Sequence, residues 1–456
     1  MTEIRRPTGG RSTPSRSSSN SERWFFAAFL LSLAVLTFLG GALLTIADIT
    51  PGPQIRRAYE GGKALYAKTQ AQDVYASDLW VTARDDSRGV VSNDSFQISP
   101  GATLYTSSHD SAAYLISSSG DVLHAWRRPF SEIWHEGAAV KQPQPDVFVY
   151  MRRAKLMPDG GLLAIYEGAG DTPYGYGMVK LDRDSNVEWS YLEHTHHDFD
   201  VAPDGTIYVL THDIVDEPRP ELDHLATPRM EDYLAILSPD GEELRKIPLL
   251  PTVEKTPYRQ LFYTVSSWSL ADPLHTNAVH VITEEEARVF APGAAGQVLL
   301  SFRELNALGV LDLDSEKLSW AAKGYWTGQH DPQILANGNL LLFDNNGHFD
   351  WDEGASRVVE FDPLTMNIAW QYTGTKAAPL HSPIRSEVQR LPNGNTLITE
   401  SGAGRIIEVT PANEIVWEFV NPVRGGAQGK RIPIVCNAQR VSPAFVAAAL
   451  GLSTES

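Results

Sequence analysis

Cysteine occurs once in this chain, at Cys436, which excludes an intramolecular disulfide and any zinc site built on several thiolates. Positive charge is also scarce: 38 Lys and Arg stand against 56 Asp and Glu, for a net charge of −18. A body this acidic is a poor partner for a phosphate backbone, so no nucleic acid partner is expected. A Gly-x-x-x-x-Gly-Lys-Ser/Thr loop is missing, and with it the usual cradle for a nucleotide phosphate. One stretch lacks charge altogether, Trp24–Ala47, which reads WFFAAFLLSLAVLTFLGGALLTIA.

That apolar run is long enough to span a bilayer, and longer than the core of about 7–15 residues expected of a cleaved signal peptide, the competing reading. Residues 1–23 before it are Ser- and Arg-rich and hold five Arg against two Glu, a local +3 that leaves −21 for the remainder. By the positive-inside rule this arrangement predicts a disordered cytoplasmic tail over 1–23 and a single transmembrane helix over 24–47. The acidic body then lies in the periplasm or outside the cell. Residues 48–100 read as a connector that begins as a helical stalk between Gln54 and about Tyr75.

From Gly101 onward the chain repeats itself. The unit is a polar start, an apolar strand, a tight turn, a second apolar strand, then a second hairpin. The turns are Pro158-Asp159-Gly160, Pro203-Asp204-Gly205, Asn337-Gly338 and Pro392-Asn393-Gly394, with a degenerate version at Pro292-Gly293. Asn-Gly and Asp-Gly between alternating apolar runs are strong hairpin signals. The units close on Trp189, Ile247, Trp320, Trp370 and Trp417, and the tryptophans are expected in the core. Five full units result.

A sixth is split, because residues 102–126 supply a second hairpin while 437–446 match the first strand seen at 386–395. Four-stranded repeats of this length are the signature of a propeller, and joining the two ends removes exposed strand edges. The expected fold is all-β: a six-bladed β-propeller over 101–450, with five or seven blades the alternatives if 214–275 holds other than one repeat.

The innermost strand of each blade lines a central channel, so its first residues gather at one mouth. Eight residues before the turn glycines stand Arg152, His197, His330 and Ser386, the first next to Arg153 and the last just after His381 and Arg385. Before the degenerate turn come His275-Thr276-Asn277, and the ends of the second strands add His212, Arg303, Asn345, Asn346 and His348. Convergent imidazoles and guanidiniums in a concave site make the mouth the default candidate.

The runs HSPIRSEVQRLPNGNTLITESGAGRIIEVTPANEIVWEFVNP (381–422), QHDPQILANGNLLLFDNNG, DPLHTN (272–277) and LLSFRELNALGVLDL (299–313) together resemble the bacterial arylsulfotransferases of the periplasmic, propeller type. The resemblance covers roughly residues 100–446. It implies transfer of a sulfuryl group from an aryl sulfate to a phenolic acceptor, without an adenylyl sulfate donor. The transition state is loose, so cations must meet the sulfuryl oxygens, a neutral imidazole can carry the group as sulfohistidine, and a protonated one can serve the leaving phenolate. This chemistry requires no cofactor and no metal.

The resemblance carries roles onto His275, Asn277, Arg303, His330 and the loop Asn345-Asn346-Gly347-His348. The catalytic candidates are His381, the first choice of nucleophile, His330, the second, His275 and Arg303, and substrate binding is expected of Asn277, Asn345, Asn346, His348 and His197. Two other classes compete. One is a membrane-tethered propeller that binds a partner protein or glycan without catalysis. The other is a metal-dependent hydrolase that uses His197-Asp198 and His330-Asp331 as ligands. Neither the natural donor and acceptor nor the oligomeric state is readable.

Overall fold

The computed structural model describes residues 19–47, 49–52, 54–55, 58–59, 73–349, 356–376 and 378–452, in two units that meet in sequence between Gln70 and Ala71. The first contains the helix Ser19–Ile46, whose segment Glu22–Ile46 has a mean hydropathy of 2.3 and is long and apolar enough to cross a membrane. No proline interrupts it, and Trp24, Phe25, Leu31 and Phe38 are exposed. The stalk expected from Gln54 falls largely outside the described residues, as does most of the N-terminal tail.

The second unit is a six-bladed β-propeller. Blade 1 joins Val435–Val441 to Ala102–Ser107, Ala112–Ile116 and Val122–Arg127. Blade 2 is Val149–Leu156, Leu162–Gly168, Gly175–Leu181 and Val187–Tyr191. Blade 3 is Thr195–Val201, Ile207–Val215, Arg229–Leu237 and Glu243–Pro248. Blade 4 is Thr276–Val281, Val298–Phe302, Ala307–Asp312 and Lys317–Lys323. Blade 5 is His330–Ile334, Leu340–Asp344, Arg357–Phe361 and Ile368–Tyr372. Blade 6 is Glu387–Arg390, Thr396–Glu400, Arg405–Val409 and Ile415–Val420, with Gly89–Asn93 added as a fifth, outer strand.

The ring therefore closes through a blade shared by both ends of the propeller, with Ala438 opposite Tyr105. The leading segment supplies three strands of it rather than one hairpin. Two strands also form within the expected connector: Gly89–Asn93, and Trp80–Thr82 against Arg431–Pro433.

The second strand of blade 5, LLLFD, shows why such runs carry no polar alternation. Leu340 and Leu342 pack toward blade 4 with Leu299 and Val310, whereas Leu341 and Phe343 pack toward blade 6 with Ile398 and Ile407. A strand buried on both faces must be apolar on both. The closing tryptophans differ from expectation. Trp417 is fully buried, but Trp189, Trp320 and Trp370 are half-buried, because the fourth strand is the outer edge of its blade. The turn glycines Gly160, Gly205, Gly338 and Gly394 have φ of +83, +89, +84 and +89°, a conformation that favours glycine.

Side chains of the inner strands stitch neighbouring blades around the channel. Asn437 accepts from Ala154 N, Asp198 from Val279 N, Asp331 from Val388 N and Gln389 from Arg440 N, while Asn277 donates to Gln329 O. Arg153 sits at the centre, 2.7 Å from Asp198, 3.1 Å from Glu387 and 3.5 Å from Asp331. Burial pushes the Asp198 and Asp331 carboxyls up although Arg153 pulls them down. Removing one member of a buried charge network strands the others, so Arg153→Met should lower unfolding stability by about 3–5 kcal/mol. Urea unfolding followed by tryptophan fluorescence checks this, and a loss under about 1 kcal/mol would contradict the central role given to Arg153.

Candidate functional site

Each inner strand but that of blade 6 carries a register shift near its first residues: at Met151/Arg153, Thr195/Phe199, Thr276/Ala278, His330/Gln333 and Val435/Asn437. Such bulges add a residue to one strand and re-aim its side chain. Several non-glycine residues there have positive φ: His197 (53°), His275 (45°), Asp331 (49°), Arg385 (64°) and Ser386 (82°). Backbone strain of this kind clusters at functional sites. Here it turns side chains into a cavity of about 320 Å³ at the mouth, lined among others by Arg152, His197, His275, Arg303, His330 and Arg385.

His330 is almost fully buried and oriented from behind. Its Nδ1 lies 2.8 Å from Asn345 Oδ1 and 3.0 Å from Gly328 O. Both are acceptors, so Nδ1 carries the proton and Nε2 keeps the lone pair. Burial, reinforced by Arg303, holds this imidazole well below its ordinary value, hence neutral. Asn345 in turn donates to Ser382 O at 2.8 Å and Arg385 O at 2.7 Å, tying the His330 ring to the loop that carries Arg385.

His275 has the opposite environment. Burial opposes its charge, but Asp272, whose Oδ2 lies 2.5 Å from Nδ1, outweighs burial and raises the imidazole above its ordinary value. The hairpin of blade 4 places Arg303 beside it, with Arg303 N donating to His275 O at 3.3 Å. His197 lies 4.9 Å from His275, ring to ring, and is held well below its ordinary value by burial and then by His275. Its backbone N donates to Glu167 Oε1 at 2.9 Å, and Glu167 Oε2 accepts from Tyr150 OH at 2.7 Å. Tyr174 packs edge-on against His197 and His212, and burial raises its phenol well above the ordinary range.

The site thus holds two imidazoles kept neutral, of His330 and His197, and one, of His275, drawn toward its charged form, with three guanidiniums lining the same cavity. That is the equipment for moving an anionic group between oxygen nucleophiles. The family model of the arylsulfotransferases (ASST) matches residues 153–422, more than half of the 456. The chain belongs to the arylsulfotransferase family. No curated protein matches it. Among solved structures, a Bacteroides caccae protein of unknown function is 13% identical, covering 74% of this chain and 99% of that one with a TM-score of 0.44. A streptogramin B lyase is 12% identical, covering 75% of this chain and 86% of that one with a TM-score of 0.38. Virginiamycin B lyase from Staphylococcus aureus with quinupristin is 11% identical, covering 75% and 87% with a TM-score of 0.38.

In this arylsulfotransferase-family chain, His197, His275, Arg303 and His330 come together on the cavity wall. His381 does not line the cavity: it is exposed, and its backbone N donates to the buried Glu400 at 2.8 Å. Asn277, Asn345, Asn346 and His348 do not line the cavity. Asn277 and Asn346 hold Gln329 O and Pro383 O, and His348 is buried. Sequence reasoning missed Tyr150, Tyr174 and Asp272, which lie outside the repeat offsets that flagged the others, and Glu167, which the offset of His212 and Asn345 from their turn glycines would have found at the end of the second strand of blade 2.

The nearest metal-like constellation is His196, His212 and Asp232, whose candidate ligand atoms lie within 4.8 Å of one another. His196 Nε2, His212 Nδ1 and Asp232 Oδ1 have no hydrogen-bond partner among the described residues. However, Gly175 N donates to His212 Nε2 at 3.2 Å, which uses the one lone pair of a neutral imidazole. With its Nδ1 therefore protonated, His212 presents an N–H rather than a lone pair to the cluster, which suits a buried water rather than a cation. Asp198 and Asp331, the carboxylates that a hydrolase site would need, are held by Arg153 and by backbone N–H groups.

Proposed function

We propose that this protein moves a sulfuryl group from an aryl sulfate to a phenolic acceptor through a sulfohistidine on His330. The observation that carries the reading is the pairing of environments: His330 neutral with its proton pinned on Nδ1, and His275 charged by Asp272, on one cavity wall. In the first half-reaction the His330 Nε2 lone pair attacks sulfur while the S–O(aryl) bond breaks and its electrons leave on the aryl oxygen. Protonated His275 gives its proton to that oxygen, so a neutral phenol departs. Arg152, Arg303 and Arg385 meet the sulfuryl oxygens, where the loose transition state keeps its charge. In the second half the acceptor phenol returns a proton to His275, its oxygen attacks sulfur, and the N–S bond breaks.

Asn345 and Asp272 are positioning residues here, acting through the two imidazoles. The apolar helix with its Arg-rich flank supports a single-pass anchor, with the N-terminus in the cytoplasm and the propeller in the periplasm or outside the cell. The test is mass spectrometry on the full chain in detergent after mixing with p-nitrophenyl sulfate and no acceptor. One sulfuryl group on His330 is expected. An adduct on another residue reassigns the nucleophile, and no adduct together with no turnover overturns the transferase reading.

A further inference from the structure

One cavity residue comes from outside the six repeats. Asp78 lies between the short 3-10 turn Val74–Ala76 and the strand Trp80–Thr82, and its Oδ2 accepts from Arg385 Nη2 at 2.8 Å. The segment is pinned rather than loose. Leu79 and Trp80 are buried with Tyr150, Ile434 and Cys436, Leu79 O accepts from Ile434 N at 3.0 Å and from Ser108 Oγ at 2.6 Å, and Trp80–Thr82 pairs with Arg431–Pro433. The Asp78 side chain is 54% exposed and that of Arg385 is 15% exposed, so the carboxylate is the outer partner of the pair. Asp171, the acceptor of Tyr176 OH at 2.7 Å, lines the same cavity.

Each of the three guanidiniums has a carboxylate partner, Arg152 with Glu387 at 3.5 Å, Arg303 with Glu304 and Arg385 with Asp78, and Asp78 is the one of these carboxylates that faces solvent. A sulfate monoester brings one anionic group, which these cations receive. A second anionic group on the same ring would find Arg385 already paired and a carboxylate beside it. We propose that Asp78 is a specificity-determining residue that selects phenols with neutral or cationic ring substituents and rejects those bearing a carboxylate. This rests on the transferase reading above and names the substrate class of that site.

The experiment compares kcat/KM for three acceptors, phenol, 4-hydroxybenzoate and tyramine, with p-nitrophenyl sulfate as donor, in the wild-type chain, Asp78→Asn and Asp78→Lys. In Asp78→Asn the 4-hydroxybenzoate-to-phenol ratio should rise by roughly two- to fivefold, the size of one partly exposed charge interaction, and the tyramine-to-phenol ratio should fall. Asp78→Lys should move both ratios further. Ratios unchanged in active variants overturn the proposal while leaving the transferase reading standing. A wild-type chain that transfers to no acceptor from any aryl sulfate overturns both. Because Asp78 is half-exposed and Asn keeps its shape, thermal unfolding should match wild type, and a shared fall for all acceptors leaves the ratios as the readout.

Discussion

His330→Ala should abolish sulfuryl transfer, lowering kcat by about ten-thousand-fold or more, because removal of a covalent nucleophile leaves only binding and electrostatic effects. The sulfuryl-enzyme should disappear from the mass spectrum with it. Added imidazole should restore part of the turnover in His330→Gly, since the missing ring leaves a space beside Asn345 and Gly328 that a free imidazole can fill. His381→Ala should leave kcat near the wild-type value, as that side chain is exposed away from the cavity wall. Turnover by His330→Ala within tenfold of wild type would remove His330 from the mechanism. Asn345→Ala, which frees the His330 ring to turn, should retain the nucleophile yet slow the first half-reaction.

The second large effect belongs to Asp272→Asn, expected to lower kcat by about a hundred- to ten-thousand-fold with phenyl sulfate as donor. The loss should be much smaller with p-nitrophenyl sulfate, whose leaving phenolate hardly needs a proton. A loss of equal size for both donors would assign His275 a role other than proton transfer. The pH profile gives an independent sign. Asp272 raises His275 above the ordinary imidazole value, so the charged acid persists to higher pH than a free imidazole would and activity falls only as pH rises through that raised value. Without the carboxylate, burial and Arg303 push the group down, and the alkaline limb should move toward acid. For His275 the linked stability has the same sense. The raised His275 contributes stability that is complete below the unfolded histidine value and is lost as pH rises through the folded one, while the lowered Asp272 contributes stability lost as pH falls through its own folded value.

Much of this was legible from residue order. The offset of eight before the turn glycines marked Arg152, His197 and His330, all on the cavity wall. The residue after each turn-offset position, Arg153, Asp198, Asp331 and Glu387, belongs to the charged centre beneath it, which the repeat register contains although it was not read there. Repeat register reads such rings because each blade presents the same strand position to one axis. His381 fails for a related reason: it stands five residues before Ser386, in a loop whose path no strand period governs, and that loop turns Arg385 inward and His381 outward. Asp272, Tyr174 and Asp78 were equally out of reach, since each arrives from a connection or from outside the repeats.

Sequence by itself determined the six blades, the closure of the ring by its two ends, and which positions face the channel, because hairpin turns and doubly apolar strands are local properties that recur at a fixed spacing. Tertiary structure alone decided which imidazole stays neutral and which stays charged. That choice depends on burial and on single carboxylate or amide neighbours brought in by loops distant in the chain, and no local pattern encodes those encounters.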